Sequence, residues 1–237
     1  MKKKSRYILI ILATLLIIIG VGLICFPTIS NFFFEKNVEK DKEDFIKKIS
    51  EEKEESLLDK LYKDLQERNE WLYKSEQANL VDPFSYEQPT IDLSEYGIQD
   101  NTIGYIKIPK MGIELPIILG ANSINMRKGA VHLTETSYPI GGNNTNSVIA
   151  AHRGYGGAQL FRYIDKLDYG DKIYIQNFRE ELLYVVYEIK LVTPDAIDEL
   201  AIQPAKDIVT LITCHPYRVN TQRYIVKAER VKVENLN

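Results

Sequence analysis

Residues Ile8 to Phe26 read ILIILATLLIIIGVGLICF, with no charged residue and only Thr14 and two glycines to interrupt them. At about 1.5 Å of rise per residue this run is long enough to span roughly the hydrocarbon core of a bilayer as a helix. Lys2, Lys3, Lys4 and Arg6 precede it, a basic cluster expected to stay on the cytoplasmic side while the rest of the chain faces outward. A cleaved signal peptide would have a shorter apolar core and a small-x-small cleavage site. Here the run ends in Cys25-Phe26-Pro27, so an uncleaved single-pass anchor is expected, with residues 1–34 as basic tip and anchor.

Charge and composition then limit the remainder. Hydrophobic residues make up 45% and charged residues 27% of the 237, ordinary for a globular chain with one sizeable domain. The net charge of −3 includes the four basic residues ahead of the anchor. Without them 26 basic residues face 33 acidic ones, a net of about −7. Nucleic acid is excluded as a partner, because binding phosphates needs a basic face.

Residues 35–79 are rich in Glu and Lys, with Leu58, Leu61, Leu65 and Leu72 at helical spacing and Trp71 beside the last. One or two amphipathic helices are expected, as a solvated spacer or as a support packed on the main domain. Residues 80–98 break the pattern. Asp82-Pro83-Phe84-Ser85 and Gln88-Pro89 are turn and loop chemistry. From residue 99 onward the chain reads as short strands: 103–109, 113–118, 147–151, 172–176, 181–192, 208–213 and 223–233. A Lys-Met-Gly turn separates the first two, and Leu160–Leu167 reads as a short helix or turn. Strands at this spacing point to a closed β-barrel or a sandwich.

The two cysteines make no disulfide framework, because Cys25 falls inside the anchor and Cys214 near the far end. A lone Cys is ordinarily a buried small hydrophobe. Cys214, however, ends the apolar strand Val209–Ile212 just before His215-Pro216-Tyr217 must turn. A hairpin return would bring Arg223, which opens the next strand, back beside it. His152 also ends a strand, after Val148–Ala151 and before Arg153-Gly154. A thiol, an imidazole and a guanidinium are thus expected on one rim. The thiolate is a nucleophile favoured by nearby positive charge. The imidazole can exchange a proton with it and protonate a leaving amine. The guanidinium can donate to an oxyanion. His132 and His215 rank below His152: the first lies in a Gly-rich turn, and the second points away from the face of its neighbour Cys214. No paired ligand spacing calls for a metal, and nothing calls for a cofactor.

Thr210-Leu211-Ile212-Thr213-Cys214 resembles the TLxTC signature of the sortase family, with Arg223 matching its following arginine and His152 its histidine. Leu160-Phe161, Leu167, Gly170-Asp171, Gly129–Leu133 and Pro139–Gly142 continue the resemblance, which covers about residues 102 to 233. It implies a mainly β fold: an eight-stranded sortase-type barrel (99–237) preceded by the amphipathic helices and one transmembrane helix. It also implies an enzyme. Cys214 would attack the Thr–Gly bond of an LPXTG-like sorting signal and form a thioester that an amine resolves.

Asp82-Pro83-Phe84 resembles the lid of class C, the pilin-polymerising sortases. On that likeness Asp82 would pair with Arg223, Phe84 would pack over Cys214, and the acceptor would be a pilin lysine. The chain departs from class C after the cysteine. It has His215, Arg218 and Gln222 where many members carry a Thr-Pro-Tyr-Gly run and a His before the arginine. It also lacks, at Val233–Asn237, the apolar C-terminal segment many members carry. Two other readings stay open: a sortase that attaches surface proteins to peptidoglycan, and a membrane-tethered, non-enzymatic binding module.

Overall fold

The computed structural model describes residues 3–51, 55–85, 88–98 and 100–231. Lys2 of the basic tip, and Lys232 and Val233 at the end of the last expected strand, lie outside the described residues, as does the chain end at Val233–Asn237. Helix α1 (Lys3–Glu51) runs through Pro27 without a break and joins the apolar run to the charged segment behind it. At about 1.5 Å per residue its 49 residues extend roughly 74 Å. Its apolar part is exposed on all sides, as a helix must be if lipid is to cover it. Helix α2 (Glu55–Lys74) follows.

Eight strands among the described residues close into a barrel. They are β1 (Thr102–Ile108), β2 (Ile113–Leu119), β3 (Ala130–His132), β4 (Thr145–Ala150), β5 (Lys172–Asn177), β6 (Glu181–Val192), β7 (Asp207–His215) and β8 (Gln222–Arg230). Their order around the barrel is β1-β2-β3-β4-β7-β8-β6-β5. The open choice between barrel and sandwich is settled in favour of the barrel. Closure leaves no unpaired edge. Two pairings, β2 with β3 and β4 with β7, are parallel. Strand β3 was not among the sequence expectations, and His132 therefore sits on a strand rather than in a turn. It is buried, its Nε2 lies 3.0 Å from the Ser137 carbonyl, and its ring stacks on Tyr138.

Alternation along the strands sorts side chains onto two faces. Val209 and Leu211 of β7, Ile149 of β4 and Val226 of β8 fill the barrel interior. Ile212, Val148, Ala150 and Ile225 face the other way, into a second apolar cluster on the outer wall. The helices brace the barrel from outside. Leu61 and Leu65 of α2 are fully buried against it. Each such side chain contributes on the order of 2 kcal/mol by removing apolar area from water. Leu72 is also fully buried, whereas Trp71 is exposed and stacks under Arg68. From α1, Val38 and Phe45 enter the same core, with Phe45 set edge-on to Tyr105 at 5.4 Å. Lys42 pairs with Glu114 of β2. The helical segment is therefore packed on the barrel over much of its length.

Candidate active site

Strand register decides what meets at the rim. Across the antiparallel pair β7 and β8, Cys214 stands directly opposite Arg223. On the other side of β7, the parallel ladder pairs Ile149 with Leu211 and Ala150 with Ile212. Continued two residues in step, it sets His152 alongside Cys214. Thr213 fastens that extension, donating from Oγ1 to the Ala151 carbonyl at 2.7 Å, and the Ala151 N–H donates to the Ile212 carbonyl at 3.3 Å. Cys214 and Arg223 share the parity of Ile212 and Ile225, so their side chains leave the barrel on the outer face. Imidazole, thiol and guanidinium thus lie in a row across the ends of β4, β7 and β8, whose backbones run about 4.8 Å apart.

The segment before β1 covers this row. Asp82 leads into a 3₁₀ turn, Pro83–Ser85, and its carboxylate meets Arg223 side on, along the Nε–Nη2 edge. Nε of Arg223 donates to Oδ1 and Nη2 to Oδ2, both at 2.8 Å. Only 9% of the arginine side chain and 15% of the aspartate side chain remain exposed. The second guanidinium edge is held by its own strand end, with Nη1 donating to the carbonyls of Asn220 and Gln222. The Phe84 ring lies 4.9 Å from the guanidinium carbon and 6.2 Å from the His152 ring, spanning the two groups that flank Cys214. Leu80, Phe84 and Val192 pack on the outer apolar cluster that forms the floor.

The electrostatics follow from this cover. Burial pushes the Cys214 thiol above its ordinary pKa; the Arg223 charge pulls it down and Asp82 pushes it up again. Burial lowers the His152 pKa, and the Arg127 charge lowers it further. The Asp82 hydrogen bonds raise Arg223 above its usual value. Both directions favour the neutral thiol and the neutral imidazole while the site is covered.

The sequence did not indicate the contacts of four residues around this row, Tyr155, Arg127, Gly154 and Arg153. Tyr155 stacks on His152 at 5.4 Å, and the Arg127 guanidinium lies 5.5 Å from the Tyr155 ring. Gly154, with φ +91°, turns the chain between them; a side chain there would meet Arg162 at 2.7 Å. Arg153, buried, bridges His215 Nδ1 and the Asp165 carboxylate. His215 thus points away from the row, as alternation required. None of these contacts has a local periodic signal; the only cue was the Gly-rich stretch after His152.

Comparison with known proteins identifies the domain. The sortase domain family matches residues 106–231. Sortase A of Bacillus anthracis is 32% identical over 163 residues, which cover 67% of this chain and 75% of that protein. Sortase C1 of Streptococcus agalactiae, solved in complex with MTSET, superposes with a TM-score of 0.71 at 30% identity, covering 78% of this chain and 96% of that one. Sortase C of Clostridium perfringens, solved with the C-terminal cell wall sorting motif, gives 0.70 at 38% identity over 82% and 99%. With the domain matched over more than half of its length and its barrel shared with class C sortases, this chain belongs to the sortase family of cysteine transpeptidases.

Proposed function

We propose that Cys214 is the nucleophile, His152 the proton carrier and Arg223 the oxyanion donor of a pilin-polymerising transpeptidase. The observation that carries this reading is the row of His152, Cys214 and Arg223 across β4, β7 and β8, with an acid lodged in the guanidinium fork. The Cys214 thiolate attacks the Thr carbonyl of an LPXTG-like signal. Arg223 donates to the resulting oxyanion in the place the Asp82 carboxylate now holds. His152, protonated, gives its proton to the Gly nitrogen as the Thr–Gly bond breaks, leaving a thioester. A pilin lysine amine then attacks the thioester. His152 takes the amine's proton, and the thiolate leaves as the isopeptide bond forms. The relative solved with a cell wall sorting motif supports this substrate class.

The reactive pair is thiolate with imidazolium, whereas the directions above favour the neutral pair. The minor form increases when Asp82 leaves, because its push on the thiol disappears. Asp82, Pro83 and Phe84 act in this reading as a lid that keeps the nucleophile quiet until substrate competes for Arg223. Residues 1–34 serve as tip and anchor, 35–79 as the helical support, 80–98 as the lid segment and 99–237 as the catalytic barrel. The basic cluster before the anchor supports a cytoplasmic N-terminus and a barrel on the outside.

Incubating the full chain in vesicles with purified pilin tests the reading. A covalent ladder that disappears in Cys214→Ala is expected. Product formation only with a peptidoglycan-type amine would overturn polymerisation in favour of wall attachment. Unchanged processing in Cys214→Ala would overturn the enzyme assignment of this residue.

A further inference from the structure

The end of the apolar run and the rim of the site are held together by direct bonds. Ser30 of α1 donates to the Gly156 carbonyl at 2.9 Å, and the Gln159 N–H donates to Asn31 Oδ1 at 2.9 Å. Ser30 lies four residues past Phe26, about 6 Å along the helix. That distance is about the depth of one headgroup layer. An anchor that ends at Phe26 would set the turn that carries Tyr155 at the level of the bilayer surface.

What that turn presents is basic and aromatic. Tyr155 is exposed beside Gly156, with the Arg127 guanidinium over its ring. Arg162, against Gly154, donates to the Tyr217 hydroxyl at 3.2 Å and lies 5.3 Å from its ring. Arg218 flanks the same ring at 5.2 Å. Asp165, in the 3₁₀ segment Ile164–Lys166 that follows, is engaged by Arg153. Cationic side chains and tyrosines are thus gathered on one edge of a chain that is otherwise acidic.

We propose that this rim, centred on Tyr155, Arg127, Arg162, Tyr217 and Arg218, docks on an anionic bilayer surface. The inference rests on residues 8–26 being a membrane anchor. Tyrosines suit the interface because their rings are apolar and their tips polar. Arginines beside a bilayer gain from anionic headgroups, and each removed charge weakens docking by roughly fivefold at low salt. Because Tyr155 stacks on His152, docking sets the mouth of the site at the lipid surface. Substrates that are themselves membrane-tethered would arrive at that level, so capture becomes a search in two dimensions.

The test uses the full chain carrying Trp71→Phe and Tyr217→Trp, reconstituted in phosphatidylcholine vesicles with and without 30% phosphatidylglycerol (about one lipid in three). Flotation is read first. A chain that does not float with the vesicles overturns the anchor and the docking together. In a chain that floats, the probe at position 217 is expected to be quenched by headgroup-level nitroxide lipid and shielded at least about twofold from acrylamide in anionic vesicles. Adding Arg127→Gln and Arg218→Gln is expected to remove that shielding. A floating chain whose probe is equally open to acrylamide in both vesicle types overturns docking while leaving the anchor intact.

Discussion

Replacing Asp82 with Ala removes the carboxylate from the Arg223 fork. Two hydrogen bonds at 2.8 Å hold it there, between side chains only 9% and 15% exposed. In the open state both groups return to water, so only the net worth of a charge-assisted contact is lost, about 1.5–3 kcal/mol. At 1.4 kcal/mol per tenfold, the open population rises by about tenfold to somewhat above a hundredfold. A second effect acts in the same direction: losing the Asp82 charge lets the Cys214 pKa fall, so more thiolate is present at a given pH. The assay is stopped-flow alkylation of Cys214 by iodoacetamide in a Cys25→Ala background, read as a second-order rate constant across pH. The gating part appears as a higher plateau, and the electrostatic part as a midpoint moved to lower pH. A rate within about twofold of the parent at every pH, in a variant with parental Tm, would refute a restraint of Cys214 by this contact.

Three further outcomes follow from contacts described above. Thr213→Val keeps the side-chain shape but removes the bond to the Ala151 carbonyl; it is expected to cost about 1–2 kcal/mol in denaturant midpoint and to lower kcat by about tenfold or more, with KM little changed. His132 is held neutral in the fold, its pKa lowered from 6.5 to about 4 by burial, while the unfolded chain protonates near its ordinary value. Between those values the unfolded state binds more protons. Stability from this group is therefore complete above about pH 6.5 and declines as pH falls, by about 3 kcal/mol in full. Tm measured from pH 6.5 to 4.5 is expected to fall, and to fall less steeply in His132→Gln. Lys227, buried on the outer face of β8, bonds Glu188 of β6 and Glu199 of the segment between β6 and β7. Lys227→Met leaves those carboxylates with Lys190 alone, so a loss of about 3 kcal/mol and faster proteolysis within 193–206 are expected.

Much of this fold is written locally. Strand β6 has the bounds that its apolar pattern indicates, and β1, β2, β5 and β7 differ from theirs by a few residues at most. Strand β3 escaped because three residues buried on both faces carry no alternation. The parallel pairing of β4 with β7 also leaves no local trace, since more than fifty residues separate the strands and no turn fixes their register. For the same reason the sequence placed His152, Cys214 and Arg223 on one rim but could not order them. The hairpin return of Arg223 to Cys214 was legible because it is antiparallel and short. Contacts such as Tyr155 on His152, Arg153 to His215 and Ser30 to Gly156 depend on loop paths that no periodicity encodes. The helix through Pro27 was half legible. Composition marked the apolar run and the charged segment, but not that one helix carries both, because packing of Val38 and Phe45 on the barrel holds the second half in place.

The ladder between β4 and β7 also fixes when the site comes into being. Synthesis delivers His152 long before Cys214 and Arg223, and the β4 strand has no β7 to join until nearly the whole barrel has been made. The short β7–β8 hairpin can set Arg223 beside Cys214 by itself, but the imidazole joins them only when β4 pairs with β7. Closure of a sheet through such distant partners is slow relative to forming a hairpin. The row of His152, Cys214 and Arg223 is therefore a late property of the chain, completed by a distant strand pairing that also helps to close the barrel.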